Sequence, residues 1–199
     1  MVEIPERDVR QGEAVVPVMV ISGPVGVGKT TTAYALSDLL AERNIRHAVI
    51  DHPQIGFLRP PPEDDEWNDE VTNQNLACMW TNYRNAGAER LIVSRVLGYI
   101  SSVRRIETAV PGARVIVVRL RAPLDVIQGR IYGRNHADPE WYLTAASELS
   151  RSLDEQPIED HLIENGALSI TETAREVLRV TRWADLDRPD AERSSGVIP

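Results

Sequence analysis

The sequence predicts an α/β fold, with a parallel sheet covered by helices on both faces. Two observations carry this. Apolar runs without polar alternation are each followed by a stretch with helical spacing, and a glycine-rich turn, GPVGVGKT at residues 23–30, joins the first such run to the first such helix. A strand that is apolar on both sides needs cover on both sides, and a helix after each strand supplies it. With 199 residues, 42% of them hydrophobic, the chain can bury one substantial core. A single domain over 15–183 is expected, between a charged tail (1–14) and a polar, proline-containing one (184–199), both expected to be mobile.

Each element follows from its pattern. Residues 15–22 (VVPVMVIS) are a buried-type strand, and 30–43 place apolar residues at 33, 36, 39 and 40, the spacing of a helix face. HAVID at 47–51 is a second strand. Beyond a proline-rich loop at 59–62, residues 65–86 read as a helix with Leu76, Met79, Trp80 and Tyr83 on one side and Cys78 as a small buried residue. RLIVS (90–94) is the third strand, 98–109 a helix, RVIVVRL (114–120) the fourth strand and 124–134 a helix. A helix over 139–155, a short strand at 161–164 (HLIE) and a helix over 171–183 complete the domain. There is no internal repeat and no low-complexity tract.

Composition narrows the function. A net charge of −8 disfavours a broad nucleic-acid footprint, which needs many phosphates neutralised at once, so no nucleic-acid partner is expected. No run approaches the length of a membrane span, and the charged N-terminus lacks the form of a signal peptide, so a cytoplasmic protein without a membrane partner is expected. A single cysteine excludes an internal disulfide. His52 and His136 read as ordinary surface histidines, and no spacing of His, Cys and Asp indicates zinc.

The turn at 23–30 matches G-x-x-x-x-G-K-[ST], the P-loop. Glycines let backbone N–H groups turn inward around a phosphate, the helix N-terminus adds positive potential, lysine reaches the outer phosphates and the hydroxyl holds Mg²⁺. Gly23, Pro24, Val25, Gly26, Val27, Gly28, Lys29, Thr30 and Thr31 are therefore the expected nucleotide cradle, with ATP and Mg²⁺ as cofactors. A bare glycine turn would explain Gly23 or Gly28 but not the Lys-Thr pair. Of 22 basic residues, 21 are arginine, and Lys29 is the single lysine. A chain that writes arginine everywhere else keeps a compact ammonium where a planar guanidinium has the wrong shape.

Three further features bear on what happens to the phosphate. Asp51 ends the second strand, at the sheet edge where ligands of such folds bind, and there it serves as base toward an attacking hydroxyl or as a Mg²⁺ holder with Thr30. A solvated aspartate ending a strand is the plain alternative. Arg130 and Arg134, spaced i, i+4 in RIYGR, share one helix face and are placed to stabilise charge on a transferring group, unless that face is simply solvated. Arg119 and Arg121 read as structural or rim residues. The third strand ends in Ser94, without the acidic residue of a motor ATPase.

In order, the P-loop, the strand ending in Asp51, LRAPLDVIQGRIYGR and SELSRSLDEQP resemble the small P-loop kinases of the gluconate, shikimate and adenylylsulfate kinase group. DHPQIGF at 51–57 is also similar to resistance proteins of the tunicamycin-resistance and chloramphenicol phosphotransferase type. The resemblance covers roughly residues 16–182. It implies a three-layer P-loop NTPase fold with five parallel strands in the order 2-3-1-4-5. It also implies γ-phosphoryl transfer from ATP to a hydroxyl of a small molecule, with Lys29, Asp51, Arg130 and Arg134 as the acting residues. SRVLGY after the third strand matches no acceptor signature of the group, so the acceptor stays open.

Residues 52–87 leave the sheet at Asp51 and return at the third strand, so they are expected to cover the acceptor. Phe57, Arg59 and Trp67 are the candidate acceptor contacts, aromatics for a flat ring and arginine for an anion. Trp80 and Tyr83 read equally as core. A nucleotide-binding switch without a metabolite acceptor and a polynucleotide kinase are the competing readings.

Overall fold

The computed structural model describes residues 15–134 and 138–185. The tails predicted at 1–14 and 184–199 lie outside them, apart from 184 and 185, and so does His136. Five strands form one parallel sheet in the order β2-β3-β1-β4-β5: β1 Val16–Ser22, β2 His47–Asp51, β3 Arg90–Ser94, β4 Ala113–Arg121 and β5 His161–Glu164. Six α-helices join them: α1 Lys29–Ala41, α2 Asp69–Asn85, α3 Ile100–Ala109, α4 Leu124–Tyr132, α5 Pro139–Glu155 and α6 Ile170–Thr181. This is the three-layer α/β fold of P-loop NTPases.

Because successive side chains point to opposite faces of a strand, β1 divides its residues between two cores. Val16, Val18 and Val20 pack with Leu76 and Trp80 of α2 and Val103 and Ile106 of α3. Met19 and Ile21 pack on the other face with α1, α4, α5 and α6. That two-sided demand is why the interiors of β1 and β3 are apolar, and the parallel pairing sets the carboxyl ends of β1, β2 and β3 side by side. The register places Asp51 opposite Ser94, and Ser94 opposite Ile21.

The structure departs from the sequence reading at a few points. The helix predicted from 65 begins at Asp69, because the Asp65 carboxylate accepts from the Asp69 and Glu70 N–H groups and Asn68 takes a left-handed φ of 55°. Helix α4 stops at Tyr132, and α6 stops at Thr181, where Arg182 turns left-handed at φ 49°. Cys78, expected to be buried, is exposed on α2, since Leu76 and Trp80 already occupy the inward stripe. His52, expected on the surface, is buried. Trp80 is core, whereas Tyr83 one turn later is exposed.

Candidate active site

The loop from Gly23 to Gly28 leaves β1 and enters α1. Gly23 holds φ +134°, and a Cβ there would lie 2.5 Å from the Leu120 carbonyl oxygen of β4, so only glycine lets the loop start this close to the sheet. Gly28 holds φ +107° as the N-cap of α1, with no side chain capping the helix. The first amides of α1 are therefore left to a ligand, which is the anion-binding arrangement of a helix N-terminus.

Lys29 folds back over the loop and donates to the Pro24 carbonyl at 2.9 Å. Burial pushes its ammonium down to about 8, with Asp51 working the other way and Arg134 adding to the fall. Asp51 offsets that burial only in part, and the oxygens of a phosphate would add counter-charge.

At the other end of the loop, the Thr30 hydroxyl donates to Asp51 Oδ2 at 3.2 Å and lies 3.3 Å from Ser94 Oγ. Asp51 and Thr30, paired on sequence grounds, thus meet in space. Ser94, noted in the sequence only for not being acidic, joins them as a third oxygen. Two hydroxyls and a carboxylate are hard donors of the type Mg²⁺ takes, usually with waters and phosphate oxygens completing the shell. Among the described residues no three His, Cys, Asp or Glu side chains cluster as a metal site.

The two RIYGR arginines divide. Arg130 turns inward, donating to the Val27 carbonyl at 2.8 Å and to the Asn165 carbonyl at 3.1 Å. Asn165, in the turn after β5, donates from its amide to the same Val27 oxygen at 2.9 Å. The P-loop is thus pinned from outside by α4 and by the β5–α6 turn. Arg134 lies two residues beyond the end of α4, so it does not share a helix face with Arg130 as the spacing predicted; it is exposed and near enough to lower both Arg130 and Lys29 electrostatically. Asn165 sits 138 positions from Val27 and carries no local signal beyond following a strand at the ligand edge of the sheet.

Phe57, Arg59 and Trp67 lie on the segment between β2 and α2. Phe57 and Trp67 are each 75% exposed, and the Arg59 guanidinium lies 5.1 Å over the Phe57 ring. A cavity of about 540 Å³ opens beside the loop, between Pro24, the β4 end at Arg121 to Leu124, and Ser147, Ser150 and Arg151 of α5. Arg119 and Arg121 are structural, as expected: Arg119 binds Asp154 and Glu159, each at 2.8 Å, and Arg121 binds Asp154 and Glu164.

Behind Asp51 lies a second group of residues that the sequence reading missed. Arg95, the residue after Ser94, hydrogen-bonds His52 Nε2 at 3.1 Å and pairs with Asp69 at 2.9 Å. Burial, with Arg95 adding to it and Asn73 opposing it, lowers the His52 imidazole to about 4, so His52 is a neutral acceptor.

No protein-family model matches the sequence, and no curated protein matches it. Solved structures do. A gluconokinase from Sinorhizobium meliloti 1021 aligns over 87% of this chain and 96% of its own, with 20% identity and a TM-score of 0.59. The tunicamycin resistance protein of Deinococcus radiodurans aligns over 83% and 95%, with 22% identity and a TM-score of 0.57. A shikimate kinase from Acinetobacter baumannii in complex with shikimate aligns over 87% and 97%, with 17% identity and a TM-score of 0.51. The fold is that of the small P-loop kinases. No helix among the described residues is long and apolar enough to cross a membrane.

Proposed function

We propose that the chain is an ATP-dependent phosphotransferase that moves the γ-phosphoryl of Mg-ATP to a hydroxyl of a small molecule. The meeting of Asp51 with Thr30 at the mouth of the P-loop carries the reading. A carboxylate held beside the loop hydroxyl suits both holding Mg²⁺ on the outer phosphates and accepting the proton of an incoming hydroxyl.

The residues take distinct parts. The loop amides from Gly23 to Gly28 and the start of α1 hold the phosphates, and Lys29 leaves the Pro24 carbonyl to meet them. Thr30 and Asp51, with Ser94 beside them, would hold Mg²⁺, which when bound neutralises charge on the phosphate oxygens. Asp51 orients the acceptor hydroxyl and takes its proton. Arg134 acts from just beyond α4 on the charge of the transferring group, and Arg130 keeps the loop in shape. Phe57, Arg59 and Trp67 are the candidate acceptor contacts on the covering segment, where aromatic faces suit a ring and arginine an anionic group.

The test is a screen of metabolites and antibiotics for an ATP-dependent mass gain of one phosphoryl group, run in parallel on Asp51→Ala. The variant is expected to bind ATP with near-normal affinity and to transfer nothing. Full transfer by Asp51→Ala would remove the role given to that carboxylate.

A further inference from the structure

The β2–β3 ladder ends in main chain at Asp51 opposite Ser94. The next residue on each strand carries the pairing one step further through side chains, His52 Nε2 with Arg95 NH1 at 3.1 Å. Arg95 then reaches Asp69, the first residue of α2, and Arg105 of α3 stands 3.9 Å from the other oxygen of that carboxylate. The covering segment hangs on the same helix. The Asn75 amide donates to the Ile55 carbonyl at 2.6 Å and the Asn68 amide to the Leu58 carbonyl at 3.1 Å, while a Cβ on Gly56 would lie 1.9 Å from Thr72 Oγ1.

We propose that Arg95 is a positioning residue for the transfer. It fixes the turn bearing Asp51 to the helix bearing the acceptor cover, so that the base and the cover are set by one guanidinium. The inference rests on the phosphotransferase reading for its purpose, though not for its geometry.

The chemistry favours this assignment over plain packing. A buried cation is costly unless its donors are used, and Arg95 uses two on residues from two different elements. The guanidinium is planar and forked, so its bonds to His52 and to Asp69 constrain each other in direction, which one ammonium could not do. His52 supplies a neutral acceptor, so that Asp69 is the single full countercharge bonded to Arg95, and the direction of pull on α2 is set. A displacement of α2 is therefore transmitted to the residue next to Asp51. Transfer geometry is sensitive to shifts of about 1 Å, so such a link would register in turnover.

The experiment compares the full chain with Arg95→Met, which keeps the stem and removes both bonds, and with His52→Phe and His52→Gln. His52→Phe keeps a ring without the acceptor, and His52→Gln restores an acceptor. Hydrogen exchange read by mass spectrometry on the ligand-free proteins needs no acceptor. Arg95→Met is expected to speed exchange at 51–58 and at 69–75 together, leaving 23–41 unchanged. His52→Phe should do so at 51–58, with His52→Gln close to the parent.

Turnover is read with Mg-ATP alone, as ADP release to water, and with any acceptor found in the screen. Arg95→Met should lower kcat by roughly tenfold or more, with KM for ATP within about twofold of the parent, the signature of lost transition-state positioning. Exchange that rises evenly along the chain, or in α2 without 51–58, overturns the link. A coupled rise in exchange with no turnover by the parent protein leaves the link standing and removes the phosphotransferase reading.

Discussion

Gly23 and Gly28 both lie at positive φ, yet substitution at each meets a different obstacle. At Gly23 the added methyl strikes a backbone oxygen 2.5 Å away, and a main-chain atom of β4 cannot step aside. At Gly28 the nearest heavy atom is 3.5 Å off, so alanine pays only for its left-handed backbone, about 1–3 kcal/mol. Gly23→Ala should therefore lower the melting temperature well beyond Gly28→Ala, and only Gly28→Ala should leave enough folded protein for a nucleotide titration. Equal melting temperatures would mean that the loop does not start against Leu120. Lys29→Arg isolates shape from charge. The ammonium sits inside the loop, 2.9 Å from the Pro24 carbonyl, where a planar guanidinium has neither the width nor the donor direction. Turnover with Mg-ATP should fall by roughly a hundredfold, the scale of losing one preorganised donor to developing charge. Near-parental kinetics would undo the geometric reason for the chain's one lysine.

At the scale of elements, helix starts show how far pattern reading reaches. The apolar spacing puts the start of α6 at 171, one residue from the observed Ile170, and what fixes it is the reciprocal capping box that Ser169 and Glu172 form. The start of α2 is less legible. DDEWNDE offers several Asp and Asn residues that could each start a helix, and what sets the start at Asp69 is the bond its N–H donates to the Asp65 carboxylate, with Asn68 left-handed between them. Removing that carboxylate in Asp65→Ala should cost about 1 kcal/mol, the usual loss at a helix N-terminus, and should fray the turn that holds Asp69 toward Arg95. Faster amide exchange confined to 69–72, with a melting temperature lower by a few degrees, is the expected result. The same limit explains which site residues were legible. The P-loop is contiguous, so its spacing declares it, and Asp51 is a legible candidate because it ends a strand, where it meets Thr30. Ser94, Arg95 and Asn165 matter through partners 64, 43 and 138 positions away. His52 looked like any histidine after a strand until Arg95 and the cover closed over it.

Across the whole molecule, one buried arginine ties the last third of the chain to the sheet. Arg119 points from β4 toward the return of the chain, bonding Asp154 near the end of α5 and Glu159 in the connection to β5. Arg121, two residues on and so on the same face, shares Asp154 and adds Glu164 of β5. This knot sets where α5 lies beside the cavity at Pro24, and so supports one wall of it. Its weak point is acid. Burial on its own would raise the Asp154 carboxyl, but the hydrogen bonds and charges of Arg119 and Arg121 outweigh it and hold the group below its ordinary 3.8. A carboxyl depressed by folding contributes stability that is fully present above its unfolded pKa and is lost as pH falls through the lower, folded value. Stability should thus be level with respect to Asp154 from neutrality down to about pH 5, then decline through and below 3.8 as the carboxylate is protonated and Arg119 loses one of its two partners. Asp154→Asn should be less stable than the parent at pH 7 and should show a shallower decline between about pH 5 and 3. Urea midpoints measured across that range check both, and parallel curves for the two proteins would show that the acid limb belongs to other carboxylates. The side chain is 47% exposed, so solvent screens the pair and the difference should shrink further in high salt.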